Sequence, residues 1–383
     1  MKVAIYTVDL YPGRERLMPW RTLIEVAKVM TDNNFQVEIL TASVERENKD
    51  YTYQSIEIKS VPRNFNALAT FINKNEYDAL YFPVTWRDGF KNLSVLKSIT
   101  CEKIAYFPGG VYALTNVLAL NKWGGIKPCK PYLLECLASK KRLIRKLDKV
   151  GFSNAIGLSP ATTQAAHSAG FNNAITILPG KDSFEYLNHN IEILENFGLN
   201  DKKFYLFTGA PAVTRGSQCL LKAFDLLAEK NKDAQIVFLM RTDVGSKYKE
   251  FQTTYESLKH KDKIKIINAT LSPSDLKSFI TQAYAVILPF LVIPSEIPIT
   301  YLEVLSCGTP IITSNNGGTT AYMKNAVLSG KPGSVKVLYG MMDKLWKDET
   351  LRSDLSAKGL ALMKIHPTWP IVGREWIKLV NKK

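Results

Sequence analysis

The residues best placed to do chemistry lie in one segment, Pro294-Ser295-Glu296-Ile297-Pro298-Ile299-Thr300-Tyr301-Leu302-Glu303-Val304-Leu305-Ser306-Cys307-Gly308-Thr309-Pro310-Ile311-Ile312. An apolar run ends at Leu288 and a proline-punctuated loop follows. The pattern then predicts a helix from about Pro298 to Gly308 and a strand directly after it. Thr300 and Glu303 are three positions apart and share a face of that helix, so a carboxylate stands one turn in from a positive helix end. Backbone amides at such an end, at Ile299 and Thr300, can face phosphate oxygens, while Glu303 accepts hydrogen bonds from ribose hydroxyls. The plainer alternative is a glutamate that faces water, the usual fate of this residue type. A second stretch, Gly209-Ala210-Pro211-Ala212-Val213-Thr214-Arg215-Gly216-Ser217, lies between a strand and a helix. Its two glycines are seven apart and no lysine follows the second, so it is not a Walker A loop. Amides at a helix start together with a guanidinium nevertheless suit a pyrophosphate; otherwise the stretch is a tight turn with Arg215 in solvent.

Other chemistries lack their residues. The stretch after the first strand, Val8-Asp9-Leu10-Tyr11-Pro12-Gly13-Arg14, has a single glycine where a dinucleotide fingerprint needs three. The four histidines are scattered and the five cysteines include no C-x-x-C, which argues against structural zinc and fits reduced core thiols. No D-x-D stands in either loop expected at the cleft, so no metal cofactor is expected.

The elements that must position these residues alternate along the chain. Near-continuous apolar runs occur at Val3–Val8, Val37–Leu40, Ala79–Phe82, Ile104–Phe107, Ala155–Leu158 and Ile175–Leu178, and again at Phe204–Phe207, Ile236–Met240, Ile264–Ile267, Ala285–Leu288 and Pro310–Thr313. Amphipathic stretches such as Leu17–Met30 and Cys219–Lys230 fill the gaps. Strand, helix, strand, repeated, predicts parallel sheets covered on both faces. The polar stretch from Pro179 to Lys203 lacks a strong strand run and reads as an interdomain connection. The expected architecture is α/β: two doubly wound, Rossmann-like domains at 1–184 and 185–366, with the site in the cleft at the carboxyl ends of their strands.

With 383 residues, 46% hydrophobic and 22% charged, the composition is that of a folded water-soluble chain. The N-terminal residues show no signal-peptide pattern, and the longest apolar run, Ala283 to Pro294, is broken by Pro289, which points to a cytoplasmic protein. The net charge of +15 predicts an anionic partner. Residues 127–149 carry eight basic and two acidic side chains. On a single helical wheel Arg142, Arg145, Lys146 and Lys149 oppose Leu133, Leu137, Ile144 and Leu147. This is either a leucine-packed surface helix with solvated lysines or a basic rim, helix 132–149, that holds the protein to anionic lipid on the inner face of the cell membrane. Nucleic acid is not expected, since no interleaved aromatics or zinc spacing accompany the charge.

The Pro294–Ile312 segment resembles the signature of the retaining GT-B glycosyltransferases of family 4, in which two glutamates eight positions apart precede a Gly-x-Pro turn. Phe207-Thr208-Gly209 through Arg215-Gly216 to Leu220-Leu221-Lys222-Ala223-Phe224 is similar to that family's glycine strand end, Lys-Gly pair and Leu-x-x-Ala-Phe helix, with Arg215 in place of lysine. Asn315-Asn316-Gly317-Gly318 looks like its Gly-Gly loop, Ser159 and Pro179-Gly180-Lys181-Asp182 are weaker likenesses, and 367–383 looks like its closing helix, which crosses back onto the first domain.

The chain also departs from the pattern. Glu296 and Glu303 are seven apart, so Ser295 holds the first glutamate's place unless the loop is shifted. The family's cleft histidine is replaced by Phe107-Pro108-Gly109-Gly110, and Ala321 stands where a glutamate often follows the Gly-Gly loop. The resemblance implies transfer of a sugar from a nucleotide diphosphate sugar to a glycan or lipid-linked acceptor, in cell-surface polysaccharide or glycolipid synthesis. Donor contacts fall on Gly209, Arg215, Gly216, Asn268 to Leu271, Ser295, Ile299, Thr300 and Glu303. Glu296, Arg215 and Glu303 carry the chemistry, with Glu296 or Ser295 at the donor sugar's hydroxyls. Acceptor contacts are expected from Arg14, Arg16, Gly109 and Gly110. Two alternatives stand beside it: an inactive scaffold that partners an active transferase, and a sugar-nucleotide epimerase on the same fold.

Overall fold

The computed structural model describes residues 1–42, 49–190, 192–200, 202–240 and 249–380. Two sheets organise it. The first contains β1 (Lys2–Val8), β2 (Gln36–Ala42), β3 (Tyr51–Tyr53), β4 (Ile56–Ser60), β5 (Ala79–Pro83), β6 (Glu102–Phe107), β7 (Phe152–Gly157) and β8 (Ala174–Thr176), in the order β3-β4-β2-β1-β5-β6-β7-β8. The second contains β9 (Tyr205–Thr208), β10 (Ile236–Met240), β11 (Ile264–Asn268), β12 (Ala285–Leu288), β13 (Ile311–Ser314) and β14 (Val327–Gly330), in the order β11-β10-β9-β12-β13-β14.

Every pairing is parallel except β3 with β4. Both faces of each sheet are buried, which is why the strands read as continuous apolar runs. Along β1, Ala4 and Tyr6 enter one core while Val3 and Ile5 enter the other, as the two-residue alternation of a strand requires.

Strand order reverses direction beside β1 and β5 in the first sheet and beside β9 and β12 in the second. Open α/β sheets leave a crevice at the carboxyl ends of such strands, because the connections on either side run to opposite faces. The loops 9–19, 209–216 and 289–298 are therefore the ones placed to form a site.

The structure departs from the sequence reading at several elements. The strands Tyr51–Tyr53 and Ile56–Ser60 form an antiparallel hairpin through Gln54 and Ser55, whose φ angles are both positive, 48° and 69°. Such a turn is normally signalled by asparagine or glycine. The helix expected from Leu17 starts at Trp20, with Pro19 at the N-cap, because proline cannot continue a helical hydrogen-bond ladder. The basic stretch is not one helix. Ser139 caps a new one, accepting from the Arg142 amide, so Ile126–Leu137 and Lys140–Val150 are separate. Leu143, Ile144, Leu147 and Val150 are buried, but Leu137, expected on the packed face, is 68% exposed.

The helix Trp369–Val380 packs its Val372, Trp376, Ile377, Leu379 and Val380 into the core of the first domain. It packs on Trp20–Asp32, where Gly373 lies so close to Val29 that a Cβ would stand 2.3 Å from the Val29 Cβ. Trp376 is fully buried between Tyr81 and Tyr106, with ring centroids 4.8 and 5.7 Å away, and its carbonyl accepts from the Tyr81 hydroxyl. The two chain crossings are tied together. The Lys181 amide donates to the Pro367 carbonyl (3.0 Å), the His366 ring meets the Pro179 carbonyl (2.9 Å), and Asp182 accepts from Trp369 Nε1 (2.7 Å) and Arg21 Nη2 (3.0 Å). Trp376→Ala should therefore cost about 3–5 kcal/mol, the usual range for truncating a buried tryptophan. Urea unfolding followed by tyrosine environment in the first domain would register it.

Candidate functional site

A cleft of about 1600 Å³ opens between the carboxyl ends of the two sheets. Its second-domain wall is built from the loops after β9 and β12. Gly209 has φ 108°, and a Cβ there would lie 2.0 Å from Arg215 Nη1. The guanidinium therefore rests on a position that only glycine can hold. Arg215 also donates to the Thr208 carbonyl (3.3 Å) and lies 5.3 Å from the centroid of the Phe290 ring. Gly216 (φ 70°) caps the helix Ser217–Lys230, and a Cβ on it would strike the Pro289 carbonyl at 2.1 Å. The amides of Leu291 and Val292 donate to the Thr214 carbonyl (2.8 and 3.3 Å), so the two loops are interlocked.

The same wall includes the start of the helix Ile299–Ser306, capped by Pro298. Proline suits this entry because it fixes φ and brings no amide of its own to satisfy. Ile299, Thr300 and the half-buried Glu303 all face the cleft. Ser295 lines it too, and its buried hydroxyl has no hydrogen-bond partner among the described residues. A guanidinium, a helix amide end, a carboxylate one turn in and an unpartnered hydroxyl can together hold an anionic, hydroxyl-bearing ligand.

The expected residues divide clearly. Gly209, Arg215, Leu271, Ser295, Ile299, Thr300, Glu303, Arg16 and Gly109 line the cleft; Asn268, Gly216, Glu296, Arg14 and Gly110 do not. Asn268 ends β11 on the exposed surface, and the cleft wall begins with Ala269 after it. Gly216 acts behind the wall by allowing the contact with Pro289. Arg14 is turned back on its own loop, with its guanidinium 4.0 Å from the Tyr11 ring centroid and donating to the Asp9 carbonyl (3.2 Å).

Glu296 requires the largest correction. Its side chain does not reach the cleft expected of a donor-sugar contact. It is 4% exposed and accepts from Thr162 Oγ1 (2.7 Å) across the domain boundary, with Gly110 closing over it. Burial pushes its carboxyl above the usual range, while hydrogen bonds from Ser159, Thr162 and the Val111 amide pull the other way.

The first-domain wall contains residues the sequence did not single out. Tyr112 and Tyr132 meet edge to face at 5.1 Å, and the Tyr112 hydroxyl donates to the Pro294 carbonyl (2.9 Å). Glu135, buried and with its carboxyl raised mainly by that burial, pairs with Arg87 (3.2 Å). These pairs are 20 and 48 positions apart in sequence, so no short motif could have announced them. Aromatic rings flanked by a charged pair suit a saccharide, whose CH groups stack while its hydroxyls hydrogen-bond.

Two parallel-sheet, Rossmann-like domains facing across such a cleft define the GT-B class of glycosyltransferase folds. Within it, residues 190–361 match the family model described as Glycosyl transferases group 1. The chain is similar in structure to sucrose-phosphate synthase from Thermosynechococcus elongatus, with TM-score 0.73 at 12% identity, covering 99% of this chain and 98% of that one. It is also similar to Anabaena HepE in complex with UDP-glucose, with TM-score 0.69 at 15% identity and 100% of both chains covered. WaaG, a glycosyltransferase involved in lipopolysaccharide biosynthesis, aligns over 100% of both chains with TM-score 0.67 at 13% identity. At these identities the likeness is one of fold. No curated protein matches the chain in sequence.

Gly209→Ala should destabilise the protein by about 1–3 kcal/mol, the usual range for forcing a methyl into a packed contact. Arg215→Ala in the same chain should recover part of that loss, because it removes the group the methyl strikes. A double-mutant cycle by urea unfolding reads the coupling.

Proposed function

We propose that this protein transfers a sugar from a nucleoside diphosphate sugar, with a UDP-sugar the first to try, to a hydroxyl of a glycan or lipid-linked acceptor, with retention of anomeric configuration. The observation that carries the reading is the convergence of Arg215, the amide end of Ile299–Ser306 and Glu303 on one cleft wall. Arg215 and the helix amides take the diphosphate, Glu303 the ribose hydroxyls, and Ser295 rather than Glu296 a hydroxyl of the donor sugar. The bond from the anomeric carbon to the diphosphate oxygen breaks as the bond to the acceptor oxygen forms on the same face. The acceptor's proton passes to a phosphate oxygen of the leaving group, so no enzymic nucleophile is needed. Charge growing on the diphosphate meets donors already in place, which lowers the barrier without reorganisation at the moment of reaction. In this reading no metal takes part.

One observation favours a non-transferring scaffold instead: no carboxylate from Glu296 enters the cleft. Donor hydrolysis separates the two. The wild type should slowly release nucleoside diphosphate from one member of a sugar-nucleotide panel, and Glu303→Ala should weaken binding of that donor about 10- to 100-fold, the worth of hydrogen bonds to a charged group. No release from any member, with no thermal stabilisation by any, would favour the scaffold.

The acceptor side supports membrane presentation. Leu118 and Ile126 are 58% and 65% exposed, Leu114, Leu134 and Leu137 are also exposed, and Lys122, Lys127 and Lys130 lie among them in sequence. The helix Ile126–Leu137 places Tyr132 and Glu135 on the cleft while leaving Leu134 and Leu137 uncovered, so a bilayer against this face would stand beside the acceptor wall. No helix among the described residues is long and apolar enough to cross a membrane. The protein should sediment with vesicles containing phosphatidylglycerol, and Leu118→Asp with Ile126→Asp should abolish this without lowering the thermal midpoint. Equal partition onto neutral vesicles, or none onto either, would remove the membrane from the proposal.

A further inference from the structure

Glu296 is a buried carboxylate that the transfer scheme does not use. Ser159 caps the first-domain helix Pro160–Ser168 and Thr162 stands in its first turn, so the Glu296 carboxylate, held by both hydroxyls, sits at that helix's amide end. A positive helix terminus is a favourable place for a carboxylate. Among the described residues it forms no ion pair. Two glycines close over it, one from each domain. A Cβ on either Gly110 or Gly318 would lie 2.1 Å from Glu296 Oε1, so neither position can carry a side chain while the carboxylate stays there.

The loop that carries Glu296 is clasped by two more side chains of the first domain. The Tyr112 hydroxyl donates to the Pro294 carbonyl (2.9 Å), and Asn116 Nδ2 donates to the Leu291 and Asn315 carbonyls (both 2.8 Å). Between these anchors the chain turns at Ile297 (φ 56°), with Ser295 lining the cleft and Glu296 directed to the first domain. For a β-branched residue this backbone conformation is an outlier that its surroundings must impose.

We infer that Glu296 is a positioning residue. Its carboxylate, docked on the amide end of the first-domain helix Pro160–Ser168, holds the cleft closed and fixes where Ser295 and the start of Ile299–Ser306 stand. This rests on the reading of the cleft as a donor site. Opening the domains strips the carboxylate of its partners and frees the loop, so closure and a formed donor seat are one state.

The test uses the full chain in four forms: wild type, Glu296→Ala, Glu296→Gln and Thr162→Val. The measurements are small-angle scattering without ligand and calorimetric binding of UDP. Glu296→Ala and Thr162→Val should both give a larger radius of gyration and bind UDP about tenfold more weakly, roughly one hydrogen bond's worth. Glu296→Gln, which can still accept from a hydroxyl, should restore most of both. Thr162 touches no part of the cleft, so its effect on nucleotide affinity is one that a local role for Glu296 would not produce. Unchanged scattering in both Glu296→Ala and Thr162→Val, or weakened UDP binding confined to Glu296→Ala, overturns the inference. If Glu296→Ala does not fold, Thr162→Val decides alone. Should wild type bind no UDP, the donor reading is what loses support, and scattering still decides the role of Glu296.

Discussion

A guanidinium can press against a backbone only where no side chain intervenes, and the second-domain wall is organised around one such contact, Arg215 on Gly209. The contact requires the loop after β9 to turn through a left-handed conformation. It also requires a second glycine, Gly216, to let Pro289 approach from the loop after β12. Each loop thus holds the other, and the cation is fixed before any ligand arrives. Charge held in advance in a partly dry cleft acts more strongly on a developing anion than the same charge on a mobile arm in water.

The first domain contributes differently. Among the described residues it brings no histidine to the cleft; its wall includes the Tyr112–Tyr132 pair and the Arg87–Glu135 pair. Besides the contact of Glu296 with Thr162, it is joined to the second domain along two further lines. One is the crossing of Pro179–Asp182 with His366–Trp369, where the His366 ring is buried between the Pro179 carbonyl and the Tyr322 hydroxyl and its pKa is lowered to about 4, mainly by desolvation. The other is the helix Leu114–Gly124, whose Val117 and Leu120 pack on Leu291 and Val292 while Asn116 and Trp123 hydrogen-bond across the boundary. The loop bearing Ser295 lies between these lines and is held by side chains from both domains.

The parallel strands were legible because burial on both faces removes polar residues from them, leaving runs such as Ile236–Met240 that admit few other readings. The start of the helix at Pro298 was legible for a related reason, since proline and the strand that follows Gly308 confine it to one place. What could not be read was anything decided by a neighbour from elsewhere in the chain. Ser295 and Glu296 are adjacent and both suited to hold a sugar, and first-domain partners distant in sequence, such as Thr162, 134 positions away, hold Glu296 away from the cleft. The basic stretch misled because periodicity continues smoothly through Ser139, while a single capping hydroxyl there starts a new helix. Arg14 looked like a cleft cation because of its place after β1, but stacking on Tyr11 directs it elsewhere.

The return of Trp369–Val380 sets the order in which the molecule can assemble. The first sheet is complete at Thr176, yet Tyr81 and Tyr106 keep a groove open until Trp376 arrives, after all six strands of the second sheet. During synthesis the earlier half must therefore wait, partly uncovered, while the later half matures beside it, so the half begun first is finished last.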